Sequence, residues 1–219
     1  GKLPVTTVIP VGDAPGYLSG SEVSAAVKVN ANFFIMDRFD CATIYDHVGT
    51  PFGLRVKSGV VEDPPLFGRE ALLVRKDGGV AVEKTDVREL TLEIAGQTYR
   101  HGENATVFSR PERLRTPGKK GKKLIIVGCR VAAVSDRSTV QIPASGFVLC
   151  PEGECNAKPG DRVVYRGMED VTFGIQVGNS ILRKGRKTEY FISKFYNIRG
   201  FEPVPYPHSL YPLDFRNAR

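Results

Sequence analysis

The sequence predicts an α+β protein in which sheet dominates: a β-rich mixed or antiparallel sheet domain with few helices. Three observations carry that prediction. Gly 23 and Pro 15 are high counts for a helical protein and ordinary ones for strands joined by tight turns. Apolar and polar residues alternate in short runs such as Leu90-Thr91-Leu92-Glu93-Ile94, as in a half-buried strand. Asp77-Gly78-Gly79, set between two strand-like runs, has the composition of a hairpin turn.

In chain order, Val5 to Val11 reads as a strand, followed by a Pro- and Gly-rich turn through Gly20. Ser21 can cap a short helix from Glu22 to Val27. Asn30 to Phe34 reads as a strand end. As a strand it places Asn30 and Asn32 on one face, and Ala31 and Phe33 on the other. Asp37 to Gly53 reads as a long loop dense in ionisable groups: Asp37, Arg38, Asp40, Asp46 and His47. A meander follows, with Leu54 to Val61 turning near Lys57 to Gly59, Arg69 to Arg75, Val80 to Glu83, Leu90 to Ile94 and Thr98 to Arg100. Lys123 to Val127, Arg130 to Val134, Gly146 to Leu149, Arg162 to Tyr165 and Thr172 to Val177 continue the strand pattern, with Thr139 to Pro143 between them. Thr188 to Phe195 is the best helix candidate, its Tyr190, Phe191, Ile192 and Phe195 sharing one side. The four prolines from Pro203 to Pro212 predict an extended tail. With 219 residues, 41% of them hydrophobic, the reading is one domain over 1–219, with 84–145 as a candidate inserted β subdomain.

No apolar run approaches the ~18 residues of a membrane span. The formal charge is +7. It is concentrated in Arg110, Arg113, Arg115, Lys119, Lys120, Lys122 and Lys123, and again in Arg183, Lys184, Arg186 and Lys187. Either block can meet phosphate or an acidic polymer. Without interleaved aromatics, solvated loops are the preferred reading, and nucleic acid is the least favoured partner. Cys150-Pro-Glu-Gly-Glu-Cys155 has the spacing of a small disulfide loop, which leaves Cys41 and Cys129 as the remaining pair. Free core thiols are the alternative. The disulfide reading goes with a secreted protein in an extracellular or periplasmic location. Asn104-Ala105-Thr106 fits a glycosylation acceptor.

The sequence holds no P-loop, dinucleotide fingerprint or Gly-x-Ser-x-Gly elbow, so the cofactor is left unknown. His47, His101 and His208 lie too far apart for a His-x-x-x-His zinc site, and no metal ligands are assigned.

Several segments, in consistent order, resemble the phosphodiester glycosidase domain family. This group is related to the enzyme that uncovers mannose 6-phosphate by removing N-acetylglucosamine from a phosphodiester. The matching segments are Val29-Asn30-Ala31-Asn32-Phe33-Phe34, Thr50-Pro51-Phe52-Gly53-Leu54, Gln141 to Leu149, Lys158 to Val163, and Gly174 to Gly185. Ala31 and Asn32 stand where the family has a glycine pair. The family also continues past a segment like Asn217-Ala218-Arg219, so the resemblance implies a C-terminal fragment or a second chain that completes the fold. It implies a hydrolase of glycosyl phosphodiesters or related exopolysaccharide linkages, with a sugar phosphodiester or polysaccharide as partner. Under this reading Asn30, Asn32 and Asn179 orient substrate, and Asp46, His47 or Asp37 handles protons. Arg55 or Arg75 neutralises phosphate. The alternative is a non-catalytic carbohydrate- or cell-surface-binding module on the same scaffold, marked by an open aromatic surface without paired ionisable groups.

Overall fold

A computed structural model describes residues 33–110, 112–177, 182–183 and 186–187. The expected helices at Glu22 to Val27 and Thr188 to Phe195 lie outside these residues. Within them the fold class is as expected, a β-sheet domain whose helical content is two short 3-10 turns at Arg38–Asp40 and Val87–Glu89.

The strands are β1 (Phe33–Phe34), β2 (Pro51–Phe52), β3 (Arg55–Lys57), β4 (Val60–Asp63), β5 (Arg69–Arg75), β6 (Val80–Thr85), β7 (Thr91–Ile94), β8 (Gln97–Tyr99), β9 (Ala105–Ser109), β10 (Lys123–Val127), β11 (Arg130–Ser135), β12 (Gly146–Pro151), β13 (Val163–Arg166), β14 (Val171–Gln176), β15 (Leu182–Arg183) and β16 (Arg186–Lys187). Three larger sheets form, ordered β4-β3-β14-β5-β6, β11-β10-β12-β9 and β13-β7-β8. Every strand pair among the described residues is antiparallel. Strands from within 84–145 pair with strands beyond it: β9 and β10 with β12, and β7 with β13.

The tight turns follow local chemistry. Lys57 pairs with Val60 and Ile94 with Gln97, so each hairpin has a two-residue loop. Ser58 (φ 52°) and Gly59 (φ 81°), like Ala95 (φ 49°) and Gly96 (φ 75°), adopt the left-handed pair that matches strand twist in such loops. Gly146 answers a different need. A Cβ there would lie 2.0 Å from the Ile126 carbonyl oxygen, so β12 can approach β10 only without a side chain at this position.

One apolar core joins the three sheets. Val56 and Leu73 of the first, Leu124 and Phe147 of the second, and Leu92 and Tyr165 of the third are all buried in it. Phe147 and Tyr165 meet edge to face, ring centroids 6.4 Å apart. The β9–β12 sheet is buried on its other face as well. There Ile125, Val140, Ile142 and Val148 form a second cluster with Tyr45, Phe108 and Cys150. Burial on both faces explains why β10 and β12 read as continuous apolar runs.

The expected disulfides do not form. All four cysteines are free thiols. Cys150 lies on the outer face of its sheet with Phe108 and Val148, whereas Cys155 is buried in the main core. The two thiols pack in different clusters. Cys129 donates to the Glu62 carbonyl at 3.0 Å, and Cys41 contacts the Asp37 carbonyl at 3.8 Å. The disulfide argument for a secreted protein falls with these bridges.

Candidate functional site

The segment 35–50 is a closed loop. Phe33 pairs with Phe52 and Phe34 with Pro51, while Ile35 N donates to Thr50 O at 3.0 Å and Gly49 N to Ile35 O at 2.7 Å. Inside it, Asp37 caps the first 3-10 turn by accepting from Phe39 N at 2.7 Å. Asp40 accepts from Met36 N at 3.1 Å and Asp37 N at 3.3 Å. With so many short polar side chains, the segment holds itself together through carboxylate-to-backbone bonds rather than a ladder.

Asp46 anchors the loop to the rest of the molecule. Its Oδ2 accepts from Ala42 N, Thr43 N, Thr43 Oγ1 and Ala144 N at 2.8 to 3.1 Å. Its Oδ1 accepts from Ser145 N at 2.9 Å and Ser145 Oγ at 2.7 Å. Burial pushes this carboxyl up. The bonds from Ser145, Ala144 and Thr43 outweigh it and hold the group below the usual carboxylate range. Six donors saturate an acceptor with about four lone-pair sites. A carboxylate held by six donors and kept below the usual range is a poor proton donor, and its bonds tie the loop to Ala144 and Ser145. Arg110 is buried beside it and donates from Nε to Ile142 O at 2.9 Å. Burial lowers this guanidinium, and the Asp46 charge partly opposes the shift. Gln141 closes the arrangement by donating from Nε2 to the Ala42 carbonyl at 2.5 Å.

The other expected residues separate into groups. His47 and Asp37 are exposed on the loop beside Asp46. The His47 side chain has no hydrogen-bond partner among the described residues, which leaves both ring nitrogens available to a ligand. Asn30, Asn32 and Asn179 lie outside the described residues. Arg55 belongs to the β3–β4 hairpin, where its Nε meets Asp63 at 2.7 Å and Glu62 at 3.3 Å. Its charge is already answered by two carboxylates. Arg75 is likewise bound, to both Glu83 oxygens at 2.9 Å and to Asp170.

Two features were not read from sequence. Burial pushes Asp63 up more strongly than Arg55 lowers it, and the nearby Cys129 thiol is pushed up to about 11, chiefly by burial. The second feature is apolar. Met36, Phe39, Ile44 and Val48 are all exposed on the Asp46 loop, Phe39 at 93%. The apolar residues scattered between its carboxylates were the available signal. Among the described residues no group of three or more His, Cys, Asp or Glu side chains is placed to hold a metal ion. No described helix is long and apolar enough to cross a membrane.

No family model matches the sequence, and no curated protein matches it. Among solved structures, the chain is similar to a hypothetical protein from Synechocystis, with a TM-score of 0.32 and 14% identity over 73% of this chain and 32% of that one. The chain thus spans less than half the length of that protein.

Proposed function

We propose that the chain hydrolyses a glycosyl phosphodiester, consuming water and releasing a free sugar and a phosphate monoester. One observation supports this reading: segments that carry the family resemblance, distant in sequence, are bonded to one another. The Phe33-Phe34 and Pro51-Phe52 pieces pair as strands. Asp46, in the loop between them, accepts from Ala144 and Ser145 of the Gln141 to Leu149 piece. Gln176, within the Gly174 to Gly185 piece, accepts from Leu54 N at 3.0 Å and returns its own N–H to Leu54 O at 2.8 Å. In this reading Asp46 fixes the loop and His47 handles the proton at its rim. Asp37 keeps the first turn in shape, and Asn30, Asn32 and Asn179 orient the sugar and phosphate.

The test is release of reducing sugar from a panel of sugar phosphodiesters, including an N-acetylglucosamine 1-phosphodiester. The wild type is expected to turn over at least one, with His47→Ala slowing it by about 100-fold. Unchanged turnover in both His47→Ala and Asn32→Ala overturns the assignment.

A second reading is a carbohydrate-binding module, favoured by the near-complete exposure of Phe39 beside Met36, Ile44 and Val48. It predicts sugar binding without hydrolysis, lost in Phe39→Ala.

A further inference from the structure

The basic loop before β10 is not simply solvated. Lys119, Lys120 and Lys122 are exposed, but Lys123, the first residue of β10, is only 1% exposed. Alternation along β10 puts Lys123 on the same face as Ile125, the outer face of the sheet, where Phe108 and Cys150 also lie. The loop folds back over that face, with Thr116 N donating to Val140 O and Lys119 N to Ser138 O. A cavity of about 70 Å³ is left beneath it, lined by Thr106, Phe108, Cys150 and four lysines, with Glu152 the one carboxylate in the lining.

Lys123 is the unusual member. A buried ammonium is costly unless a counter-charge or full hydrogen bonding compensates. Its Nζ donates to Lys119 O at 2.7 Å and Gly121 O at 3.1 Å. An ammonium has three donors, so one is left over. Among the described residues no ion pair includes Lys123. Lys122 donates from Nζ to Cys155 O at 2.9 Å. The Cys150 thiol is pushed up by burial, while the charges of Lys123 and Lys119 pull it down, so both ammoniums lie within electrostatic reach of that sulfur.

We propose that this cavity binds a tetrahedral oxyanion, phosphate or sulfate, with Lys123 as its buried anchor and Lys119 and Lys120 as outer cations. A single water occupies roughly 10–15 Å³ of such space, so there is room for an ion of about five heavy atoms. The anion supplies the third acceptor and a counter-charge for Lys123. The cavity's Phe108 and Cys150 share an apolar cluster with Tyr45 of the Asp46 loop, but the cavity lining holds no residue of that loop among the described residues. Ser145, just before β12, and Cys150, near its far end, are about 17 Å apart at strand rise.

Thermal unfolding in sodium phosphate, sodium sulfate and methyl phosphate, each matched in ionic strength with sodium chloride, tests the proposal. A saturable rise in Tm of about 4 °C is expected at a tenfold excess over Kd. Methyl phosphate acting like phosphate identifies the terminal group of an ester, and inactivity of the ester identifies the free ion. Lys123→Met is expected to abolish the saturable rise, and Lys119→Ala, an exposed change that leaves folding intact, to weaken it. Alkylation of Cys150, followed by peptide mapping, should slow at least threefold in phosphate while that of Cys41 does not. A rise that chloride reproduces, or one undiminished in both variants with Cys150 unprotected, overturns the site.

Discussion

Protonating Asp46 would weaken a carboxylate's hold on six donors from two segments of the chain. Its folded-state value lies below the usual one. The stability it contributes is therefore fully present above the ordinary carboxylate value of about 3.9 and is lost as pH falls through the depressed value. Asp63 works in the opposite sense. Its value is raised, so its contribution is present at low pH and is lost as pH rises through that value. Comparing wild type with Asp46→Asn isolates the first effect. Denaturant unfolding at pH 7 should show a loss of about 3 kcal/mol in the variant, shrinking as both are taken down through the depressed carboxyl value. A second residue-scale prediction concerns Ala95, exposed and at φ 49° in a two-residue hairpin loop. Ala95→Asn, which creates the Asn-Gly pair favoured in such loops, should raise stability by about 0.5–1 kcal/mol in the same assay. Asp46 stood out in the sequence because ionisable groups crowd its loop. Its role did not, because two of its donor residues, Ala144 and Ser145, lie about a hundred positions away and nothing local marks them.

Among the elements, β14 depends on a single polar side chain. Gln176 is 2% exposed, and its Oε1 accepts from Leu54 N and Leu66 N while its Nε2 donates to Leu66 O. It serves three backbone groups that no ladder reaches. Gln176→Ala should cost about 3 kcal/mol, read from the urea midpoint at unchanged slope, because those groups are left buried and unpaired. The strand itself was legible as an apolar run with Gly174 inside it, as were the hairpins at Ser58-Gly59, Asp77-Gly78-Gly79 and Ala95-Gly96. β9 was not. It buries Ala105, Val107 and Ser109, so its inward face is small and partly polar and gives little alternation to read. Thr139 to Pro143, which the sequence leaves unassigned between strands, pairs among the described residues only through a bridge of Gln141 to Arg115. Pro143 has no N–H for a ladder, and the Ala144 and Ser145 amides turn to Asp46 instead.

At the scale of the molecule, cohesion comes from a core shared by three sheets and not from covalent staples. The four thiols are free, so Tm should be the same with and without a reducing agent. Thiol titration in denaturant should find four groups in unreduced protein. Cys129, pushed up to about 11, should be slow to react at neutral pH while the protein is folded. Sequence spacing suggested a bridge because Cys150 and Cys155 are close along the chain; which apolar cluster each packs in is a tertiary fact. The order β4-β3-β14-β5-β6 has one further consequence, for synthesis. The central strand of that sheet begins at Val171, whereas its neighbours β3 and β5 are complete by Arg75. At a ribosomal rate of ~5–20 residues per second, the two early hairpins wait on the order of 5 to 20 s with their inner edges open before the strand that joins them emerges. During that wait Val56 and Leu73 are uncovered, and the nascent chain is most exposed to aggregation and to chaperone capture.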